Sequence, residues 1–167
     1  MLLLLLSACK LERAASGRLP GPPTAADSLA LVEQDSAISV QVRHALALYY
    51  RRRSRGEWEE IRESFWPGAV VTARQASGER QPRTVDQLVE ELRRPGAGAR
   101  IERPVHTHVT GYSDLADAWV VYESRPAGDS ARAVRGVDAF HLYRRGGEWR
   151  IAGLISSPEV SGLPLRP

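Results

Sequence analysis

Two apolar stretches separated by a polar, glycine-bearing turn close the chain. They are Val137-Asp138-Ala139-Phe140-His141-Leu142-Tyr143 and Trp149-Arg150-Ile151-Ala152-Gly153-Leu154-Ile155, joined by Arg144-Arg145-Gly146-Gly147-Glu148. Aromatic and β-branched residues on both sides of a Gly-Gly turn specify an antiparallel hairpin. A hairpin of this kind needs a sheet to join and a layer to bury its inward side chains, so the rest of the chain must supply both.

More strands precede it. Val105 to Tyr112, Ala118 to Ser124 and Ala133 to Tyr143 read as strands, with turns at Ser113-Asp114 and Pro126-Ala127-Gly128-Asp129. The first half reads as helix. Ile38, Val42, Ala45, Leu46 and Tyr49 recur at helical spacing, which predicts an amphipathic helix from Ser28 or Asp35 to Arg53. Its basic end, Arg51-Arg52-Arg53-Ser54-Arg55, complements the helix dipole. Gly56 ends it, and Glu57 to Trp66 form a second helix with Trp58, Ile61 and Phe65 on one side, stopped by Pro67-Gly68. Ala69 to Ala73 then reads as a strand, and Thr84 caps a third helix running to Leu92. Helices first and antiparallel strands after them make an α+β unit.

Composition narrows the class. The 167 residues leave room for one domain and an appendage, and a domain of roughly 135 residues buries about two-thirds of its unfolded surface. With Cys9 as the only cysteine, neither an internal disulfide nor a cysteine-based metal site is possible within one chain. The net charge of +3 comes from arginines interspersed with Glu and Asp, without the basic stripe that a nucleic-acid surface requires.

The N-terminus carries an address. Leu2 to Leu6 run directly into Ser7-Ala8-Cys9, an apolar stretch leading to small residues and a cysteine, as in an exported leader. Leu6-Ser7-Ala8-Cys9 resembles a bacterial lipobox, which implies cleavage before Cys9 and acylation of that residue. Two or three acyl chains hold a protein on a membrane far better than one, at about 0.8 kcal/mol per buried methylene. The expected organisation is a signal peptide at 1–8, a lipidated cysteine and tether at 9–27 containing Pro20-Gly21-Pro22-Pro23, and a folded domain at 28–167. That places the domain in the envelope of a bacterium, facing outside the cytoplasm.

Three segments, Gly56-Glu57-Trp58, Phe65-Trp66-Pro67-Gly68-Ala69-Val70-Val71 and Asp138-Ala139-Phe140 through Trp149-Arg150-Ile151, resemble the SnoaL-like members of the nuclear transport factor 2-like superfamily. The resemblance covers roughly Ala37 to Ser157. It implies a cone: a curved antiparallel sheet wrapped around about three N-terminal helices, enclosing an apolar cavity. It also implies that two copies can pair through the sheet. Superfamily members include isomerases, dehydratases, epoxide hydrolases and adaptors, so the fold alone assigns no reaction.

Comparison with the ketosteroid isomerases of that superfamily is sharper. There, a tyrosine and a protonated aspartate hold an oxyanion while a second carboxylate acts as base. By the resemblance, Tyr49 matches the tyrosine and Asp138 the aspartate, whereas the base position falls on Ala73. Tyr49, Asp138, Trp66 and Tyr122 are accordingly the candidate ligand-binding residues, with no catalytic residue assigned. His106 and His108 alternate on one strand face, where His141 or Asp138 could complete a metal site; two histidines on a solvated face are the commoner outcome, and no metal or cofactor is expected. The sequence thus points to a membrane-anchored domain that binds an apolar, oxygen-bearing small molecule without turnover. An acid/base enzyme in the same pocket and a protein-interaction or dimerisation module are the alternatives.

Overall fold

In the computed structural model, residues 25–74, 77–94, 100–128 and 133–165 are described, with side chains from Asp35 onward. The Leu6-Ser7-Ala8-Cys9 motif and most of the tether lie outside the described residues. Three helices and six strands follow in the order α1 (Ala25–Arg55), α2 (Trp58–Glu63), β1 (Phe65–Arg74), β2 (Arg80–Thr84), α3 (Val85–Arg93), β3 (Arg100–Tyr112), β4 (Leu115–Pro126), β5 (Val134–Arg145) and β6 (Glu148–Pro158). The expected α+β architecture, helices first and a curved sheet after, is what forms.

One six-stranded sheet runs in the order β2-β1-β6-β5-β4-β3. Its neighbours are antiparallel except for β1 and β6, which run parallel, with Val71 opposite Leu154 and Ala73 opposite Ser156. The sheet is therefore mixed rather than wholly antiparallel. The pair joins two strands far apart in sequence, and such a pairing has no local turn to announce it. β2 was not expected at all. Arg80-Gln81-Pro82-Arg83-Thr84 lacks apolar alternation because it is an edge strand, and Pro82 there, like Pro104 on the opposite edge strand β3, blunts the edge. At Pro104/His106 the β3 register also shifts by a bulge, which bends the strand.

Strands are longer than their apolar cores suggested. β1 begins at Phe65 rather than Ala69, because Gly68, at φ 83°, forms an irregularity that lets Phe65 pair with Ile151 before the regular register resumes at Val70. Consequently α2 is shorter than expected, Trp58–Glu63. α3 follows the expectation closely. Thr84 Oγ1 accepts from the Gln87 backbone N–H while Gln87 Oε1 accepts from the Thr84 N–H, a reciprocal capping box.

The core lies between α1 and the inner sheet surface. Ile38, Val42, Leu46 and Tyr49 of α1 bury one stripe, and Phe65, Val71, Val120, Phe140, Leu142, Ile151 and Leu154 meet it from the sheet. α1 packs tightly on β3 at Gly111, where an added Cβ would run into Ile38. Among the described residues no helix is long and apolar enough to cross a membrane.

Candidate functional site

Alternation along β5 turns Gly136, Asp138, Phe140 and Leu142 inward, so one carboxylate enters an otherwise apolar row. Register places it in company. Asp138 lies opposite Ser156 on β6 and Val120 on β4, and Ser156 lies in turn opposite Ala73 on β1. Asp138 is 0% exposed. Ala73 and Ser156, toward the β1 side of the sheet, are partly exposed. From above, the last two turns of α1 bring Tyr49, Tyr50 and Arg53 onto this row.

The Tyr50 hydroxyl donates to Asp138 Oδ2 at 2.7 Å, and Asp138 Oδ1, also buried, has no hydrogen-bond partner among the described residues. Burial raises the Asp138 pKa above the usual carboxylate range. Arg53, the neighbouring Ser156 hydroxyl and the hydrogen bond from Tyr50 oppose that rise, and Glu102 reinforces it. Burial first, and the Asp138 charge second, push the Tyr50 hydroxyl pKa up, while burial and then Asp138 lift Tyr122 to about 12. Both phenols stay protonated and able to donate.

Arg53 sits at the edge of the cluster. Its Nη2 donates to Glu102 Oε1 at 3.2 Å, its Nε lies 3.1 Å from Glu102 Oε2, and its Nη1 donates to the Tyr49 hydroxyl at 3.3 Å. Burial disfavours the cation, but Tyr49, Glu102 and Asp138 outweigh it and hold the Arg53 pKa above its ordinary value. Glu102 is itself fastened. Ser124 Oγ donates to Glu102 Oε1 at 3.2 Å, and Ser54 Oγ accepts from the Glu102 backbone N–H while donating to its carbonyl.

The residues proposed from sequence separate into two places. Tyr49 is fully buried beside Asp138, yet its ring packs edge-on against Tyr50, Phe65 and Phe140 and its hydroxyl accepts from Arg53; the tyrosine that bonds Asp138 is Tyr50. A helix advances by ~100° per residue, and a count along the sequence placed the tyrosine one position early. Tyr122 is in the site, its ring 6.2 Å from that of Tyr50 and its hydroxyl filling the space above Gly136. Trp66 is not. It follows inward-facing Phe65 on β1 and so points to the opposite side, where Nε1 donates to the Tyr143 carbonyl at 2.8 Å and Arg150 lies over the ring. The histidines are on that outer side too: His106 and His108 pair in register with Val121 and Trp119, and His141 Nδ1 meets Asp117 Oδ1 at 2.5 Å. No three His, Cys, Asp or Glu side chains converge among the described residues.

Sequence reasoning missed Tyr50, Arg53, Glu102, Ser124 and Ser156. Arg53 had been read as part of a solvated basic helix end, but its spacing from Leu46 and Tyr49 puts it on the buried stripe, and that was the available signal. Chemically the site offers a buried carboxyl whose pKa is raised and phenolic donors, without a second carboxylate at Ala73. Elsewhere, a groove of about 560 Å³ runs between α1 and β6, lined in part by Val40, His44, Leu48, Trp149 and Arg150.

No protein-family model matches the chain, and no curated protein is significantly similar to it. Solved structures are. An NTF2-like protein of unknown function from Pseudomonas putida superposes with a TM-score of 0.64 at 13% identity, over 79% of this chain and 98% of its own. An NTF2-like protein with a cystatin-like fold from Novosphingobium aromaticivorans gives 0.64 at 13% identity, covering 85% and 94%. The CamKII hub homology domain of Chlamydomonas reinhardtii gives 0.63 at 13% identity, covering 74% and 99%. At such identities the likeness speaks for architecture alone. The chain has the NTF2-like, cystatin-like fold.

Proposed function

We propose that this chain is a binding domain whose interior site, formed by Asp138, Tyr50, Tyr122 and Ser156, takes an apolar small molecule bearing an oxygen. The observation that carries this reading is the Asp138 carboxyl: fully buried, bonded through Oδ2 to Tyr50, and left with Oδ1 unpartnered. A buried polar atom without a partner costs ~1–3 kcal/mol, and a ligand oxygen accepting from the protonated acid removes that cost. Aromatic walls from Tyr50, Tyr122 and Phe140 suit an apolar body. Alanine at position 73 leaves no base across from Asp138, which favours binding over proton transfer.

Titration calorimetry with para-ethylphenol tests it: wild type binds, and Asp138→Ala weakens binding at least tenfold. Equal affinity in the two proteins defeats the reading. An acid/base enzyme in this pocket requires turnover, and measurable isomerisation of a β,γ-unsaturated ketone by wild type would establish it in place of simple binding.

The same reading places the domain on a bacterial envelope membrane through Cys9, on the strength of Leu6-Ser7-Ala8-Cys9 and the proline-rich stretch behind it. Labelled fatty acid should enter wild type but not Cys9→Ser, and Cys9→Ser should appear in the soluble fraction. A homodimer is favoured by a separate observation. Trp119, 51% exposed, shares the outer sheet surface with four other exposed apolar residues, Ile155, Val70, Tyr143 and Leu115. Trp119→Glu should halve the sedimenting mass, and a wild-type monomer at all concentrations would remove this part of the proposal.

A further inference from the structure

The interior site has two carboxylates, Asp138 and Glu102, and one guanidinium, Arg53, whose charge is matched by Glu102. Arg53 Nη2 donates to Glu102 Oε1 and Nη1 to the Tyr49 hydroxyl, while Nε lies 3.1 Å from Glu102 Oε2, which has no hydrogen-bond partner among the described residues, so Glu102 neutralises the cation by charge without using all of its N–H groups. Glu102 is held in place by Ser124 and by both backbone bonds to Ser54, and its side chain is only 8% exposed. An ion pair whose carboxylate is also anchored by Ser124 and Ser54 keeps its place against a competing anion. An anionic ligand beside Asp138 would lose its hydration and gain no counter-charge, and that is costly in a buried site.

We propose that Glu102, through its ion pair with Arg53, sets the charge selectivity of the interior site, making it a receptor for neutral oxygen-bearing molecules and excluding carboxylates. This rests on the binding role assigned above to Asp138. Glu102 touches no ligand and acts by occupying Arg53. Two consequences follow. Glu102→Gln keeps the size and an acceptor oxygen but removes the charge, so the Arg53 cation becomes available to a ligand carboxylate. In the ligand-free variant it also leaves Arg53 unopposed near Asp138, which favours the Asp138 carboxylate until a ligand carboxylate takes its place as the partner of Arg53 and Asp138 regains its proton. The other titratable groups facing Asp138, namely Tyr49 and Tyr50 on α1 and Tyr122 on β4, are unchanged by the substitution.

The test compares para-ethylphenol with para-ethylbenzoate at neutral pH in wild type, Glu102→Gln and the double variant Arg53→Gln/Glu102→Gln. Wild type prefers the phenol by at least tenfold. Glu102→Gln loses that preference by at least tenfold through tighter benzoate binding, and the double variant, neutral again, regains it. A role confined to holding α1 against β3 would weaken both probes alike, leave their ratio unchanged, and refute the proposal. Side-chain carboxyl NMR of Asp138 supplies a reading free of ligand: its titration moves to lower pH in Glu102→Gln and back up in the double variant. If neither probe binds any variant, the binding role of Asp138 fails, and an Asp138 titration unmoved by Glu102→Gln overturns the charge assignment as well. Should Glu102→Gln not fold, benzoate binding by the double variant overturns the proposal.

Discussion

Replacing Asp138 with asparagine isolates the energetic consequence of a buried acid. Asparagine keeps the shape and an oxygen to accept the Tyr50 hydroxyl, and it removes the charge from a position that is 0% exposed. Asp138 has a higher pKa folded than unfolded, so the folded protein binds its proton more tightly. Stability should therefore be highest near the unfolded value of about pH 4 and fall as pH rises through the folded pKa, by ~1.4 kcal/mol per pH unit. Urea denaturation of both proteins at intervals between about pH 4 and pH 8 measures the difference, and groups common to both cancel in it. The asparagine variant should match wild type at the acid end and become the more stable protein as pH rises. Parallel stability curves, or a wild type that gains on the variant with rising pH, would refute the reasoning, because they would mean Asp138 is ionised and stabilised in the fold.

Tyr50→Phe strips Asp138 Oδ2 of its donor and should cost ~1–3 kcal/mol and raise the Asp138 titration further, whereas Tyr49→Phe loses only the longer bond from Arg53 and should leave that titration nearly unmoved. Phe65→Ala removes a ring packed 5.8 Å from Tyr49, and thermal or urea unfolding should register a loss of ~3–5 kcal/mol. Gly136→Ala places a methyl against the Tyr122 hydroxyl and ring, so Tyr122 must move; a loss of ~1–3 kcal/mol together with weaker para-ethylphenol binding is expected.

Much of the fold could be read because it rests on local patterns. The β5–β6 hairpin with its Gly146-Gly147 turn, the α1 stripe and the Thr84 capping box each declare themselves within a dozen residues. The parallel β1–β6 pair and the edge strand β2 could not be read in the same way, since one depends on strands brought together from opposite halves of the chain and the other carries no apolar alternation. The site divides similarly. Asp138 was reached through the resemblance to the ketosteroid isomerases, and Tyr122 was named among the candidate ligand-binding residues. Tyr50 was hidden beside Tyr49, where one residue decides which hydroxyl reaches the carboxylate. Glu102 meets Ser124 only through the β3–β4 register, and it is this anchored carboxylate that pairs with Arg53. Trp66 was misplaced because Gly68 draws Phe65 into β1, and strand alternation then sends the two neighbours to opposite sides.

The central claim is that a ligand oxygen completes the Asp138 carboxyl, and a crystal structure of the protein grown with para-ethylphenol tests it most directly. The account predicts the phenol oxygen within ~3 Å of Asp138 Oδ1, the Tyr50 bond to Oδ2 intact, and the ethyl-bearing ring against Tyr122 and Phe140. Phenol density confined to the groove between α1 and β6, beside Val40, Leu48 and Trp149, with Asp138 unchanged, would contradict it.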